Sequence, residues 1–445
     1  MTSFKGQAQL HLLAALLLLV SRPLAAQEAV SATGSGASSS GPSTATSDTE
    51  LTTGTGSSAA AVSNAPTAST SLQGGPGSAG VFSPTPVQIY FSLNGGYDDN
   101  VNTNVGPKQG SAFTSGNLVL DYTFGDPRLQ IILNAGAGGT YYLENVSVQN
   151  YDIDLKGAFG INYKASPRLS LEANVLLEYL TEPNFDNPGG LNSRSGNYFY
   201  TNDQLSVSYL WSDRFSTKTA YTLEGYKYDN AAVASFSDRF SNTFGNEFRF
   251  QMVPTTFLVA EYRYNIVSYD DNSLDSTTHF ALGGIDHTFN PRLTASIRGG
   301  AEFRSYDHDG DRDGPYFEGT VTYAIGKRTS VSWNSRYGIE EPDVVGAQSR
   351  TTFRTGLHAK FDFTSRISST LDAFYTHDDY HSLSSAVAPI APFDENTFDI
   401  GLGLRYAITT IVGVQLGYHY TDVISDLAVR EYSRNRVYGG VSLKF

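Results

Sequence analysis

From residue 87 to the end of the chain, apolar and polar side chains alternate with the period of β-strands. LVLDYTF (118–124), YDIDLKGAFGINY (151–163), LSLEANVLLEY (169–179), LTASIRGGAEF (293–303) and FDIGLGLRY (398–406) are the clearest runs. In the second, Tyr151, Ile153, Leu155, Gly157, Phe159, Ile161 and Tyr163 share one face, and Asp152, Asp154, Lys156, Ala158, Gly160 and Asn162 share the other. Such a run spans about 43 Å, longer than most strands of soluble domains. No stretch after Pro86 carries a helical period. The chain stops in mid-pattern on VYGGVSLKF, with Val437, Gly439, Val441, Leu443 and Phe445 on one face. A terminus is ordered only where it is paired or docked. This ending predicts a last strand that is structural to its final residue.

Two kinds of connection alternate between the runs. The short kind is stereotyped: FGDPRL around Arg128, KASPRL around Arg168, WSDRF around Arg214, FNPRL around Arg292, IGKRT around Arg328 and TSRI around Arg366. Two further short turns, near Pro254 and Thr409, lack the arginine. The long kind is polar and rich in Gly, Asn and Asp: 98–112, 180–197, 229–236, 307–314, 342–350, 378–394 and 421–432 among them. The repeating unit is therefore a hairpin. The count predicts about eighteen strands, eight short turns and nine long loops. An even number puts both strand ends on the short-turn side.

In lipid every backbone donor and acceptor must be paired within the protein, and only a closed sheet has no free edge. Long strands with one apolar face, short turns at one end and long loops at the other predict an all-β fold, a transmembrane antiparallel up-and-down β-barrel. Tyr122, Phe124, Tyr163, Tyr209, Trp211, Phe248, Phe250, Phe289, Tyr323, Phe361, Phe363 and Tyr406 fall at the short-turn ends, where an interfacial aromatic girdle belongs. A soluble propeller also repeats with aromatics, but its blades need four short strands per repeat and these repeats hold two long ones.

Composition agrees. Tyr (28), Phe (26) and Gly (43) are abundant and Cys is absent, so there is neither a disulfide framework nor a thiolate metal site. Residues 1–26 read as a secretory signal peptide: Lys5, an apolar run from Leu10 to Val20 too short to span a bilayer, and a small-residue end at Ala25 and Ala26. Its removal leaves 28 basic and 44 acidic residues, a net charge of −16, which argues against a nucleic-acid partner. Residues 27–86 are Ser, Thr, Gly, Ala and Pro with few large apolar groups, a disordered periplasmic tail with a reach of roughly 40 Å. The barrel then occupies 87–445.

Val437, Val441, Leu443 and the terminal Phe445 resemble the C-terminal signal read by the barrel-assembly machinery on bacterial outer-membrane proteins. The region from about residue 86 to 445, with hairpins such as HTFNPRLTASIRGGAEFRSY (287–306), resembles the Putative beta-barrel porin 2 family. The resemblance implies an outer-membrane location among lipid and lipopolysaccharide. It is specific for architecture and weak for cargo, and some members resemble wide barrels that pass secreted polysaccharide.

If the apolar faces meet lipid, the alternate residues line the lumen. They are Asp152, Asp154, Lys156, Glu172, Glu178, Lys218, Glu224, Glu247, Arg249, Glu261, Arg263, Arg298, Glu302, Arg304, Glu318, Arg336, Arg354, His358, Lys360, Asp372, Asp399 and Arg405. Both signs are nearly balanced, unlike the single-sign rings of strongly selective pores. Cross-strand pairing that only braces the wall is the competing role for any one of them.

Three other features bear on chemistry. DHDGDRDG (307–314) sets Asp309, Asp311 and Asp313 at calcium-loop spacing, but Thr320 stands where the bidentate glutamate belongs. HDDYH (377–381) places two histidines near acids in a long loop. No G-x-S-x-G elbow occurs, so no enzyme and no cofactor is expected. The expected function is passive diffusion of small hydrophilic solutes. Exopolysaccharide secretion, with a tail that touches a periplasmic or export partner, and a structural or adhesive surface barrel are the alternatives.

Overall fold

The computed structural model describes residues 87–144, 146, 150–181, 183, 190–194, 196–271, 274–326, 328–384 and 390–445. The signal-peptide and tail assignments lie outside them. Eighteen strands form one antiparallel sheet in chain order: β1 (Val87–Asp98), β2 (Ser111–Gly125), β3 (Leu129–Tyr142), β4 (Tyr151–Lys164), β5 (Leu169–Thr181), β6 (Asn197–Ser212), β7 (Phe215–Tyr228), β8 (Arg239–Val253), β9 (Thr256–Tyr269), β10 (Ser276–Asn290), β11 (Leu293–Tyr306), β12 (Arg312–Ile325), β13 (Thr329–Glu340), β14 (Ala347–Asp362), β15 (Ile367–Ser382), β16 (Phe393–Ala407), β17 (Val412–Ser425) and β18 (Tyr432–Lys444). Each strand pairs with its sequence neighbours, and β1 pairs with β18 in the register Leu93↔Val441, closing the barrel. Eighteen strands about 4.8 Å apart and tilted by about 40° give a backbone diameter of roughly 35 Å.

The closing seam runs to the last residue. Phe445 N–H donates to Ile89 O at 2.9 Å, and Ile89 N–H returns a bond to Phe445 O at 3.0 Å. The terminal alternation is therefore the barrel's own closure, with the Val437, Val441 and Phe445 side chains exposed on the outer face.

Six of the eight short turns share one mechanism. A polar side chain at the turn's start accepts backbone N–H groups two or three residues on: Asp126 from Arg128 (2.7 Å) and Leu129 (2.9 Å), Ser166 from Arg168 (3.2 Å) and Leu169 (3.1 Å), Ser212 from Phe215 (3.2 Å), Asn290 from Arg292 (2.9 Å), and Thr364 from Arg366 (3.1 Å) and Ile367 (3.0 Å). This is why Asp, Ser, Asn and Thr occupy that position. Thr409 caps an arginine-free turn in the same way, through Ile411 (3.1 Å) and Val412 (2.9 Å).

Strands reach further than their apolar runs suggest. Arg312–Gly314, Ala347–Arg350, Asp378–Ser382 and Thr421–Ser425 belong to β12, β14, β15 and β17, not to loops. Polar residues do not end a ladder whose backbone bonds are being made. One segment read as plain loop is helical: α1 (Ala231–Ser237), capped by the Asn230 side chain, which accepts from Ala232 N–H at 3.1 Å. Its seven residues are too few to show a period, and Val233 docks it on Leu180, Leu191, Tyr198 and Tyr226. No described helix is long and apolar enough to cross a membrane, which leaves spanning by strands untouched.

The outer surface carries exposed Leu118, Phe159, Leu177, Phe244, Ile285, Ile297, Leu402 and Leu416, with the aromatics of the short-turn ends below them. Leu402→Arg on β16 would set a cation against acyl chains near mid-strand and cost about 2–4 kcal/mol. Denaturant titration of the refolded barrel in lipid vesicles checks this, and an unchanged midpoint would remove Leu402 from the lipid face.

Candidate functional site

Because side chains alternate across the wall, residues two apart on one strand meet on the inner face, and register decides which neighbours join them. Across β8 to β12 this builds an interleaved cluster. Arg298 on β11, with 0% of its surface exposed, donates to Asp286 on β10 (2.7 Å) and reaches Glu247 on β8 (3.4 Å) and Glu261 on β9 (3.8 Å). Arg249 bridges Glu247 (2.8 Å) and Asp286 (2.6 Å). Arg263 joins Glu261 (2.6 Å) to Glu318 on β12 (2.7 Å), and Tyr316 donates to Glu318 at 2.6 Å. Gly284 makes room for this: a Cβ there would fall 2.6 Å from Arg298 Cδ and 2.2 Å from Ile297 O.

A second cluster lies nearer the long loops. Arg304 pairs with Glu341 (2.7 Å), which also accepts from Tyr269 (2.9 Å), and Glu302 accepts from Ile339 N–H at 2.5 Å. Arg350 on β14 sits among Glu340 (3.7 Å), Asp343 (3.9 Å) and Asp378 (3.6 Å). Arg430, from the β17–β18 loop, donates to Asp343 (2.8 Å), Glu395 (2.8 Å) and Tyr380 Oη (3.2 Å). Burial pulls the Asp343 carboxyl up, and the Arg430 and Arg350 guanidiniums outweigh it, so its pKa falls to about 2.

The remaining wall repeats the theme in smaller units. Lys156 pairs with Glu178 (2.7 Å), Lys218 with Glu172 (3.1 Å), and Arg434 with Asp98 (2.5 Å). Tyr200 and Tyr226 donate to Glu224 (3.5 and 3.3 Å). Asp399 accepts from Thr421 (2.7 Å) and meets His419 (2.8 Å), while His358 contacts Asp372. Arg336 lies over the Tyr316 ring (5.6 Å) and Arg354 over Phe374 (5.8 Å). Asp154, Lys360 and Arg405 are half-buried on the same inner face. Asp98, Arg350, Asp378, Asp286, Glu395, His419 and Arg434 also face the interior, outside the set that alternation along the clear runs predicts. Several stand in strand ends that read as loops, and alternation extended from the neighbouring strand was the signal that would have found them.

At the long-loop mouth the chain crosses the interior. Asn192, in the β5–β6 loop, contacts Glu395 on β16, and Tyr432 on β18 donates to Asn192 O at 2.7 Å. Arg194 of the same loop pairs with Asp152 (2.7 Å), and its N–H donates to Thr103 (2.9 Å). β5 lies five strands from β18 and seven from β16 around the wall, so these bonds form a chord through the mouth. Leu383, from the β15–β16 loop, packs on Val267, Tyr269 and Leu274 of β9 and its loop, six strands away.

The other candidates do not assemble. Asp313 sits in β12 opposite Phe303 and is exposed, while Asp309 accepts from Ser384 N–H (3.0 Å) and from Gly310 N–H (2.8 Å). Thus Asp309, Asp311 and Asp313 share no cavity, and no metal-type cluster of His and acids occurs among the described residues. HDDYH is strand, not loop. His377 and His381 do share a face there, but four residues of strand part their Cα atoms by about 13 Å. They bond separately to Asn396 (3.1 Å) and Thr351 (3.0 Å).

Arg298→Leu is expected to destabilise the barrel by about 3–5 kcal/mol, because Glu247, Glu261 and Asp286 lose a shared, fully buried cation. Arg249→Gln, at the cluster's better-solvated edge, should cost much less. Equilibrium unfolding of both variants measures this, and equal losses would show that burial does not rank the pairs.

A family model described as Putative beta-barrel porin 2 matches residues 85–445. No curated protein matches the chain. Among solved structures it is similar to OccAB4 of Acinetobacter baumannii, at 13% identity and a TM-score of 0.40 over 81% of this chain and 99% of that one. It is similar to the outer membrane protein OpdK of Pseudomonas aeruginosa, at 11% identity and 0.41 over 81% and 99%. It is also similar to the siderophore receptor PirA of Acinetobacter baumannii, at 7% identity and 0.40 over 81% of each chain. At these identities and scores the likenesses say nothing of cargo.

Proposed function

The chain belongs to the Putative beta-barrel porin 2 family and is a porin-class β-barrel of the bacterial outer membrane, and on that premise we propose that it passes small hydrophilic solutes by passive diffusion, narrowed at its long-loop mouth. The observation that carries the reading is the division of the wall into an apolar outer face and an inner face of paired charges of both signs. Charges already bound to one another attract and repel little, so the inner wall offers passing solutes hydrogen bonds without strong ion selectivity. Family and fold point to a channel rather than an enzyme. The β5–β6 and β15–β16 loops, tied across the mouth, favour small solutes over an extruded polymer.

Val437, Val441, Leu443 and Phe445 are proposed as the segment that the barrel-assembly machinery reads. They lie on the strand that closes the barrel against β1.

Single-channel recording in a planar bilayer tests the channel. Steady open steps, partly blocked by small sugars, are expected, and a silent barrel would overturn the reading. Arg430→Gln unties the β17–β18 loop from Asp343 and Glu395 and should raise the conductance while leaving the barrel folded.

The same contact predicts a pH profile. The depressed folded pKa of Asp343 means its stabilising contribution is full above the ordinary carboxylate range near 4 and is lost as pH falls towards about 2. Conductance should therefore stay level from neutral pH down to about 4 and rise only below it. A rise between pH 7 and 5 would exclude Asp343 as the controlling group.

A further inference from the structure

The short-turn rim carries a ring of arginines that the channel does not use. Arg128, Arg168, Arg214, Arg292, Arg328 and Arg366 each close a short turn, and all six are exposed. They are structurally equivalent. The backbone carbonyl of each accepts the ladder bond from the end of the next hairpin: Arg128 from Lys164, Arg168 from Leu210, Arg214 from Gln251, Arg292 from Ala324, Arg328 from Asp362 and Arg366 from Ala407, at 2.7–2.9 Å. Thr255 and Ile411 hold the same place in the two turns without arginine, accepting from Thr288 and Lys444. The backbone at these sites needs no arginine, yet six of the eight have one.

None of the six guanidiniums forms an ion pair or hydrogen bond with a described residue. Their setting is also at odds with the chain's acidity. The eight short turns hold seven basic and two acidic residues, whereas the nine long connections hold three basic and sixteen acidic. Three to five residues before each arginine stands an exposed aromatic: Phe124, Tyr163, Trp211, Phe289, Tyr323 and Phe363. Outward aromatics at one level mark the edge of the hydrocarbon. A turn a few residues further on lies roughly 10 Å beyond that edge, the depth of phospholipid phosphates.

We propose that this arginine crown binds the phosphate groups of anionic phospholipids in the leaflet at the short-turn end. A guanidinium offers a planar fork that matches phosphate oxygens. Neighbouring turns are two strands apart, about 10 Å, so each arginine meets its own headgroup. A solvated rim would need charge but no particular cation, and only one of the seven basic turn residues, Lys327, is a lysine. The inference rests on the barrel's place in a membrane, not on conduction, so it stands or falls apart from the channel reading.

The chain's two tryptophans allow a direct test. Trp333→Phe leaves Trp211, which is exposed and three residues from Arg214, and whose neighbour Leu210 donates its N–H to Arg168 O. The full mature chain is refolded into phosphatidylcholine vesicles containing brominated phosphatidylglycerol or, separately, brominated phosphatidylcholine at equal fraction. Quenching of Trp211 should report about fivefold enrichment of the anionic lipid, the preference expected of one guanidinium at a charged surface. Arg168→Gln with Arg214→Gln should bring the ratio to about one, and Lys at both sites should restore only part of it. Raising the salt on the unsubstituted arginines should lower the ratio through screening, a readout that survives if the Gln pair does not insert. Equal quenching by the two lipids, a ratio untouched by the Gln pair, or one indifferent to salt would each overturn the proposal.

Discussion

A backbone that crosses lipid has no solvent to satisfy its N–H and C=O groups, so the sheet must close on itself. Here closure depends on one seam, β1 against β18, which runs from Asp98↔Arg436 to the pair of bonds between Ile89 and Phe445. The rest follows from it. An even strand number puts both ends of the barrel segment on one rim, the rim of the short turns. The two-residue period then gives each strand one face to lipid and one to the interior. The terminal phenylalanine, on which the alternation stops in mid-pattern, is the last bonded residue of that seam.

Closure also makes the charged interior affordable in energetic terms. Arg298, Glu247 and Glu302 are almost wholly withdrawn from solvent, a position each could not hold alone. They hold it because register brings opposite signs together from strands up to three apart, as Arg263 and Glu318 do across β9 and β12. Towards the long loops the pairs change character. Arg430, Asp343, Glu395 and Asn192 come from separate loops and strands, so their bonds tie long connections to the wall and to one another.

The two rims differ in charge because they differ in construction. Six of the eight short turns are capped by Asp, Ser, Asn or Thr and six are closed by arginine, leaving a basic edge under the aromatic girdle. Long connections carry the acid excess and fold inward where apolar side chains such as Leu191 and Leu383 find partners. An acidic chain thus presents a cationic edge to one leaflet.

Strand number, the alternation of short turns with long loops, the lipid and interior faces and the rim arginines could all be read from residue order. Each rests on a local rule: a period of two, or a turn three residues long. The strand ends could not, since HDDYH and Asp378 look like loop until the neighbouring strand pairs with them. Nor could the partners of Arg298, the seam register, or the chord from Asn192 to Glu395 and Tyr432. Those contacts join positions far apart in sequence, and only the closed circumference brings them within a hydrogen bond of each other.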